Sequence, residues 1–301
     1  VRNAFCDSLL KHASDPDFVF LTGDLGYNAL EPLQKSAGER FLNAGIAEQN
    51  MVSVAAGLAN RRLKPWVYSI APFLYARPLE QIRNDVCLHD LPVKLVGNGG
   101  GYAYGVMGGS HHAIEDYGLL LSLQNMRVFV PAFAADVAPI VEKMLKLPHP
   151  AYLRLGRDEK PKDLEIPAYA PWRPILKGGG PTLLLIGPLA GPWLSVLKGQ
   201  PESRRPSTWV LTELPLDGDG VSAEFKADLK RSGHLAVAEE HVAHGGVGEM
   251  LPRLLLQAGE APKSFSHFHA KGYLSGYYGS QQFHRAECGL TPENFLKELG
   301  T

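Results

Sequence analysis

The stretch Asn43-Ala-Gly-Ile-Ala-Glu-Gln-Asn-Met-Val-Ser-Val-Ala-Ala-Gly-Leu58 decides how this chain is read. From Ala44 onward it is rich in Ala, Ile, Met and Val with few breakers, so it predicts a buried helix over residues 44–58. One carboxylate, Glu48, stands among small and apolar neighbours near the start of that helix. A carboxylate buried without a partner is costly. An exposed one at a helix N-terminus is favoured by the helix dipole. The residues alone leave both readings open.

On either side of this helix lie apolar runs with the length of strands. Phe18-Val-Phe-Leu-Thr22 ends at Gly23-Asp24, and Pro65-Trp-Val-Tyr-Ser69 follows the helix. A third run, Val93-Lys-Leu-Val-Gly97, leads into a glycine-rich loop from Gly97 to Gly109. Further on, residues 115–123 read as helix, Arg127–Pro131 as strand, 135–147 as helix and Ala151–Leu155 as strand. Strands alternating with helices argue for α/β layers around a largely parallel sheet. Between Asp158 and about Gly180 the chain turns to Lys, Pro, Gly and scattered aromatics, a linker signature. Strand-like runs then resume at Thr182–Ile186, Ser207–Leu211 and His234–Ala238. The expected fold is therefore α/β with two doubly wound domains. Residues 1–160 form the first, 161–179 a linker, and 180–301 a smaller second domain.

Composition narrows the function. The chain has 301 residues, 45% hydrophobic and 20% charged, with a net charge of −1. That is a globular profile, and its charge offers nothing to a nucleic acid or an anionic membrane. The sequence has no apolar stretch that approaches the length of a membrane span. Cys6, Cys87 and Cys288 are odd in number and far apart, without a CxxC pair. They suggest neither a disulfide framework nor a zinc site, and a reducing cytoplasm is the expected location.

The segment Gly45-Ile-Ala-Glu-Gln49 resembles the glutamate segment of the transketolase superfamily, which includes deoxyxylulose-phosphate synthase and 2-oxo-acid dehydrogenase beta subunits. The resemblance implies that Glu48 hydrogen-bonds N1′ of the aminopyrimidine of thiamine diphosphate. There a desolvated carboxylate fixes the tautomer that takes the proton from C2. Tyr68-Ser-Ile-Ala-Pro-Phe-Leu-Tyr-Ala-Arg-Pro-Leu-Glu-Gln-Ile-Arg83 is similar to the segment whose aromatic ring stacks on that pyrimidine. It makes Phe73 the first candidate and Tyr75 the second. Ser110-His111-His112 resembles the family's Thr-His-Gln, so His111 is expected to face the substrate and move protons on its oxygens. Two adjacent histidines also allow a metal reading, but neighbouring side chains do not share a helical face and no third ligand lies near in sequence. Leu21-Thr-Gly-Asp-Leu-Gly26 resembles the first strand and turn of the same domain, with Asp24 and Leu25 approaching the cofactor. Arg2 and Arg157 align with arginines that grip substrate phosphate. Ala238-Glu-Glu-His-Val-Ala-His-Gly-Gly-Val-Gly-Glu-Met250 is similar to a turn of the family's C-terminal domain that supports fold and assembly.

The resemblance covers nearly the whole chain but only the latter half of a full-length transketolase. The Gly-Asp-Gly…Asn magnesium motif is missing, since Gly23-Asp24 is followed by Leu25. The family likeness thus implies a pyrimidine-binding domain and a transketolase C-terminal domain, with a large subunit holding Mg2+ and the diphosphate. Together they would form an α2β2 heterotetramer acting on a sugar or sugar phosphate. Three substrate positions depart from the family pattern: Met107 replaces an aspartate, Gly99 a phosphate-contacting histidine and Asn28 a serine. Tyr102 and Tyr104 are candidates to shape the altered pocket. The leading expectation is the small subunit of a split transketolase. The alternatives are a 2-oxo-acid dehydrogenase beta subunit, a deoxyxylulose-phosphate-synthase-like carboligase, or a non-catalytic partner-binding descendant.

Overall fold

Phe18–Thr22 (β1) is buried along its whole length and feeds two different cores. Phe18 and Phe20 pack on one side with Phe5, Leu9, Ile140 and Met144, while Val19 and Leu21 pack on the other with Met51, Val52 and Ala55. A strand covered on both faces needs apolar residues at every position, which is why the run shows no alternation. The chain is described by a computed structural model over residues 1–26, 28–216 and 220–299. Residues 300 and 301, the end of the expected second domain, lie outside the described residues.

Among the described residues eleven strands follow β1: Phe41–Asn43 (β2), Lys64–Ile70 (β3), Lys94–Asn98 (β4), Arg127–Phe129 (β5), Ala151–Leu155 (β6), Trp172–Leu176 (β7), Thr182–Ile186 (β8), Ser207–Leu211 (β9), Glu213–Leu214 (β10), His234–Glu239 (β11) and Ser264–His269 (β12). The first sheet runs β10-β5-β6-β4-β3-β1-β2 and the second β12-β11-β8-β9-β7. Both are parallel except at one edge, where β10 and β7 pair antiparallel. Helices Arg2–Leu10 and Val137–Lys146 cover one face of the first sheet, and helix Glu48–Asn60 covers the other. Two mixed, mostly parallel α/β units are thus present, as the alternating pattern predicts.

Several local expectations change. The helix expected from residue 44 begins at Glu48, because Gly45 takes φ +65° and donates its N–H to Asn43 Oδ1 at 2.9 Å. That left-handed step cannot be part of a right-handed helix. Within the stretch read as linker, Trp172–Leu176 is an edge strand. Its Arg173 makes a buried two-point ion pair with Asp136, both contacts at 2.8 Å. Helix Arg2–Leu10 and strands β2 and β12 are further elements that the pattern did not announce. None of the described helices is long and apolar enough to cross a membrane.

The two halves meet through the end of β11. Glu240 accepts from the Tyr102 backbone N–H at 2.7 Å, from Arg285 Nη2 at 2.6 Å and from Gln281 Nε2 at 2.9 Å. Its backbone carbonyl accepts from Arg154 Nη2 at 2.8 Å. Beside it, Glu239 accepts from the Val247 and Gly248 N–H groups, both at 2.8 Å, and from the Tyr117 hydroxyl. His241 Nε2 accepts from the Gly118 N–H at 3.1 Å.

Burial alone would raise the pKa of both glutamates. For Glu240 the Arg285 charge and the bonds from Gln281, Arg285 and Tyr102 outweigh burial, and for Glu239 those from His267, His241 and Tyr117 do so. Both carboxyls therefore sit below the usual glutamate value of 4.5. A depressed pKa adds stability that is complete above the ordinary value and is lost as pH falls through the folded one. The stability that these two carboxylates add should therefore be constant between roughly pH 7 and pH 5, and the urea midpoint should lose it in an acid limb on further acidification. Glu240→Gln should shallow that acid limb; an unchanged slope in the variant contradicts this account.

Candidate active site

A line of neighbouring side chains begins at the N-terminus of helix Glu48–Asn60 and runs to Tyr104, within the field of Arg2 on the first helix. Glu48 is buried, and its Oε1 accepts from Arg77 Nη1 at 2.9 Å, with the Arg77 side chain 45% exposed. The buried reading of Glu48 therefore holds, with a partner supplied. The same guanidinium lies 3.8 Å above the centre of the Phe73 ring. Phe73 meets His111 edge-on, with ring centres 5.1 Å apart. His111 Nδ1 is 3.0 Å from Ser110 Oγ, and the Tyr104 ring centre is 5.9 Å from that of His111. The Tyr104 hydroxyl accepts from Asn98 Nδ2 at 2.8 Å, and the Arg2 charge acts on both Tyr104 and Tyr68.

Local folding places these groups. Strand β3 ends at Ile70, and Pro72 opens the short helix Ala71–Tyr75 that carries Phe73. The Gly-rich loop after β4 carries Tyr104 and His111 back to the same edge. At the end of β1, Gly23 lies so close to Gly45 that a Cβ there would meet the Gly45 carbonyl at 3.3 Å. This brings Asp24 beside Asn43, whose Nδ2 donates to Asp24 Oδ1 at 3.3 Å.

The remaining sequence candidates fall in different surroundings. Tyr75 is in the core and donates to Glu115 Oε2 at 3.1 Å, whereas Phe73 lies under Arg77, the partner of Glu48. Leu25 is half-buried in the core behind β1. Asn28 is exposed at φ 63°, its N–H bonded to Glu31 Oε1 at 2.7 Å. Met107 projects from the loop, 54% exposed, and Arg157 is exposed just past β6. His112 turns away from His111: its Nε2 donates to the Gly105 carbonyl at 2.8 Å and its Nδ1 accepts from the Tyr273 hydroxyl at 3.0 Å. Burial depresses its pKa, which keeps it neutral. Tyr102, expected in the pocket, is instead buried between the halves, stacked 4.9 Å from His284. Among the described residues no three His, Cys, Asp or Glu side chains converge on a metal site. Arg77 was not singled out in the sequence, although a cation four residues after a bulky ring in Phe73-Leu-Tyr-Ala-Arg77 was its only signal.

The donor set fits the pyrimidine end of thiamine diphosphate. A planar, hydrogen-bond-donating guanidinium already lies between the Phe73 face and the Glu48 carboxylate. A flat protonated heterocycle makes the same two demands. Ile46, Ala47, Glu48, Gln49, Asn50 and Arg77 line an open depression there.

Known proteins resemble this chain in sequence and in fold. The family model for the transketolase pyrimidine binding domain matches residues 4–162. One of the subunits of the apulose-4-phosphate transketolase of Phocaeicola vulgatus is 36% identical over 162 residues, 53% of this chain and 52% of that protein. That match therefore spans about half the length of each. The corresponding subunit from Actinobacillus succinogenes is 30% identical over 276 residues, 89% of this chain and 86% of that one. A solved structure described as a split-gene transketolase, inactive beta4 tetramer, superposes with a TM-score of 0.82 at 30% identity, covering 98% of this chain and 95% of that one.

The Arg77–Glu48 contact can be measured directly. An ion pair with one half-exposed partner is worth about 1 kcal/mol after solvent screening. In a double-mutant cycle of Glu48→Gln and Arg77→Ala, the coupling read from urea unfolding should be about that size. Zero coupling means the guanidinium does not hold the carboxylate in solution.

Proposed function

Because the chain belongs to the transketolase family, we propose that it is the small subunit of a split enzyme transferring a two-carbon ketol unit from a ketose to an aldehyde. The observation that carries this reading is the buried Glu48 carboxylate joined through Arg77 to the Phe73 ring, with His111 next in line. Thiamine diphosphate, when bound, supplies the nucleophilic carbon that breaks and rebuilds the ketose carbon–carbon bond.

The roles of the chain's own residues follow from their chemistry. Glu48 holds the proton at N1′ of the pyrimidine, and Phe73 offers it a flat apolar face. Asp24 and Leu25 border the cofactor from the end of β1. Arg77 makes both contacts that the pyrimidine needs, so it swings aside when the cofactor enters. His111, with Nδ1 engaged by Ser110, uses its other ring nitrogen to exchange a proton with a substrate oxygen. Arg2 and Arg157 attract the anionic end of a sugar phosphate, with Asn28 and Met107 at the pocket margin.

A second polypeptide supplies the diphosphate-binding domain and its Mg2+, and two copies of each chain assemble around a twofold axis. The related split-gene transketolase described as an inactive β4 tetramer supports a small subunit that self-associates without turnover.

The purified chain should therefore show no ketol transfer until the large subunit is added. In the reconstituted complex, Glu48→Gln should keep assembly and slow C2 proton exchange of the cofactor by roughly 10²–10⁴. Robust turnover by the chain alone, or unchanged exchange in the variant complex, would sink this reading.

A further inference from the structure

Gly99 and Tyr104 form a matched pair at the end of the site remote from Glu48. Gly99 follows β4 with φ +80°, a conformation that L side chains rarely adopt. A Cβ built there would lie 2.1 Å from Tyr104 Cε2 and 2.4 Å from Cδ2. The ring thus packs against the glycine backbone and fills the volume that a side chain at residue 99 would occupy. Where the family pattern has a histidine, this chain has an empty backbone position with a tyrosine ring laid over it.

The placement of that ring gives it a function. Phe73 and Tyr104 both pack near His111, at 5.1 and 5.9 Å between ring centres. A substrate reacting beside His111 and extending away from the pyrimidine half meets the Tyr104 ring. The Tyr104 hydroxyl accepts from Asn98 at 2.8 Å, which leaves its own proton to donate. Burial raises its pKa, so that proton stays in place at neutral pH. The Arg2 charge acts on the same hydroxyl. A neutral donor that feels the charge of a cation suits an oxyanion, and the ring limits how far that oxyanion can lie from the reacting carbon.

We propose that Tyr104 is a specificity-determining residue: its ring shortens the far end of the site, and its hydroxyl, with Arg2, receives the terminal oxyanion of a short-backbone anionic aldehyde or ketose. This rests on the reaction proposed above and adds the length and charge class of its substrate.

The test uses the complex reconstituted with the large subunit and compares glyceraldehyde 3-phosphate with ribose 5-phosphate as acceptors. The native complex should favour the shorter one in kcat/KM. Tyr104→Leu should shift the ratio toward ribose 5-phosphate by about tenfold or more, the scale on which pocket contacts discriminate. Tyr104→Phe should keep the length preference and raise KM for the short phosphate about tenfold with kcat held. Gly99→Ala, which cannot keep the ring in place, should reproduce the length shift. C2 proton exchange should be unchanged in the Tyr104 variants, whereas general damage to the fold would lower it. Ketol transfer with an unchanged length ratio in Tyr104→Leu overturns the role of Tyr104 alone. Failure of the complex to transfer ketol from any donor overturns the reaction and this proposal with it.

Discussion

Glu240 is a charge taken out of water between two domains, and the geometry of the site depends on its being fully answered. Arg285 neutralises it at 2.6 Å, and Gln281 and the Tyr102 N–H fill its other acceptor positions. Removing one member of such a buried set typically costs about 3–5 kcal/mol, because a charge is left uncompensated. Tyr102 lies inside the glycine-rich loop, so this carboxylate fixes where the loop turns before it reaches Tyr104 and His111. Arg154 adds a second tie by donating Nη2 to both the Ala113 and Glu240 carbonyls, at 2.7 and 2.8 Å. The line from Glu48 to Arg2 is drawn from the first domain, yet its far half is set by the second. A segment of the Glu-Glu-His type thus acts on the site through position, without reaching it.

At the other end the logic is reversed. Glu48 sits inside the protein, and its partner is a cation that is itself half in water. That pairing is weak by its geometry, since a long arginine side chain loses rotamer freedom to reach the carboxylate. A contact of this kind is easily exchanged for a better one. The interdomain network is the opposite case: Arg285 is 6% exposed and bonded on several sides. One ion pair holds the architecture and the other yields.

Much of the fold could be read from local pattern. The strand–helix–strand unit around Glu48 follows from the length and composition of its runs, and β8, β9 and β11 are continuous apolar runs of the kind a covered strand requires. The linker reading failed at Trp172–Leu176 because an edge strand has only one neighbour and tolerates Pro174, so its sequence lacks a buried pattern. The helix start was misplaced because Gly45 looks like a mere small residue until its left-handed φ is seen. Of the site, Glu48, Phe73 and His111 were legible as residue types in order. Their neighbours were not. Whether Tyr102 or Tyr104 faces the pocket depends on a turn between them, and that turn is set by Glu240, which is 138 residues away from Tyr102 in sequence.

The glycine-rich loop is covered on every side by a different neighbour. A side-chain carbon at Gly97 would strike Tyr152, at Gly100 Arg154 and at Gly101 Glu240, at 2.4, 2.3 and 2.6 Å, just as one at Gly99 strikes Tyr104. Three of those neighbours are bonded into the buried network, and only Tyr104 is not. Divergence among descendants of this chain is therefore channelled. A single replacement at Gly97, Gly100 or Gly101 needs a simultaneous change in a residue that other contacts forbid, so lineages keep those glycines. At Gly99 the steric bar is a ring outside that network, so a change at Tyr104 alone lifts it and leaves only the strain of φ +80° against a side chain there. New preferences would then arise at that one position of the loop while the rest of its path stays fixed.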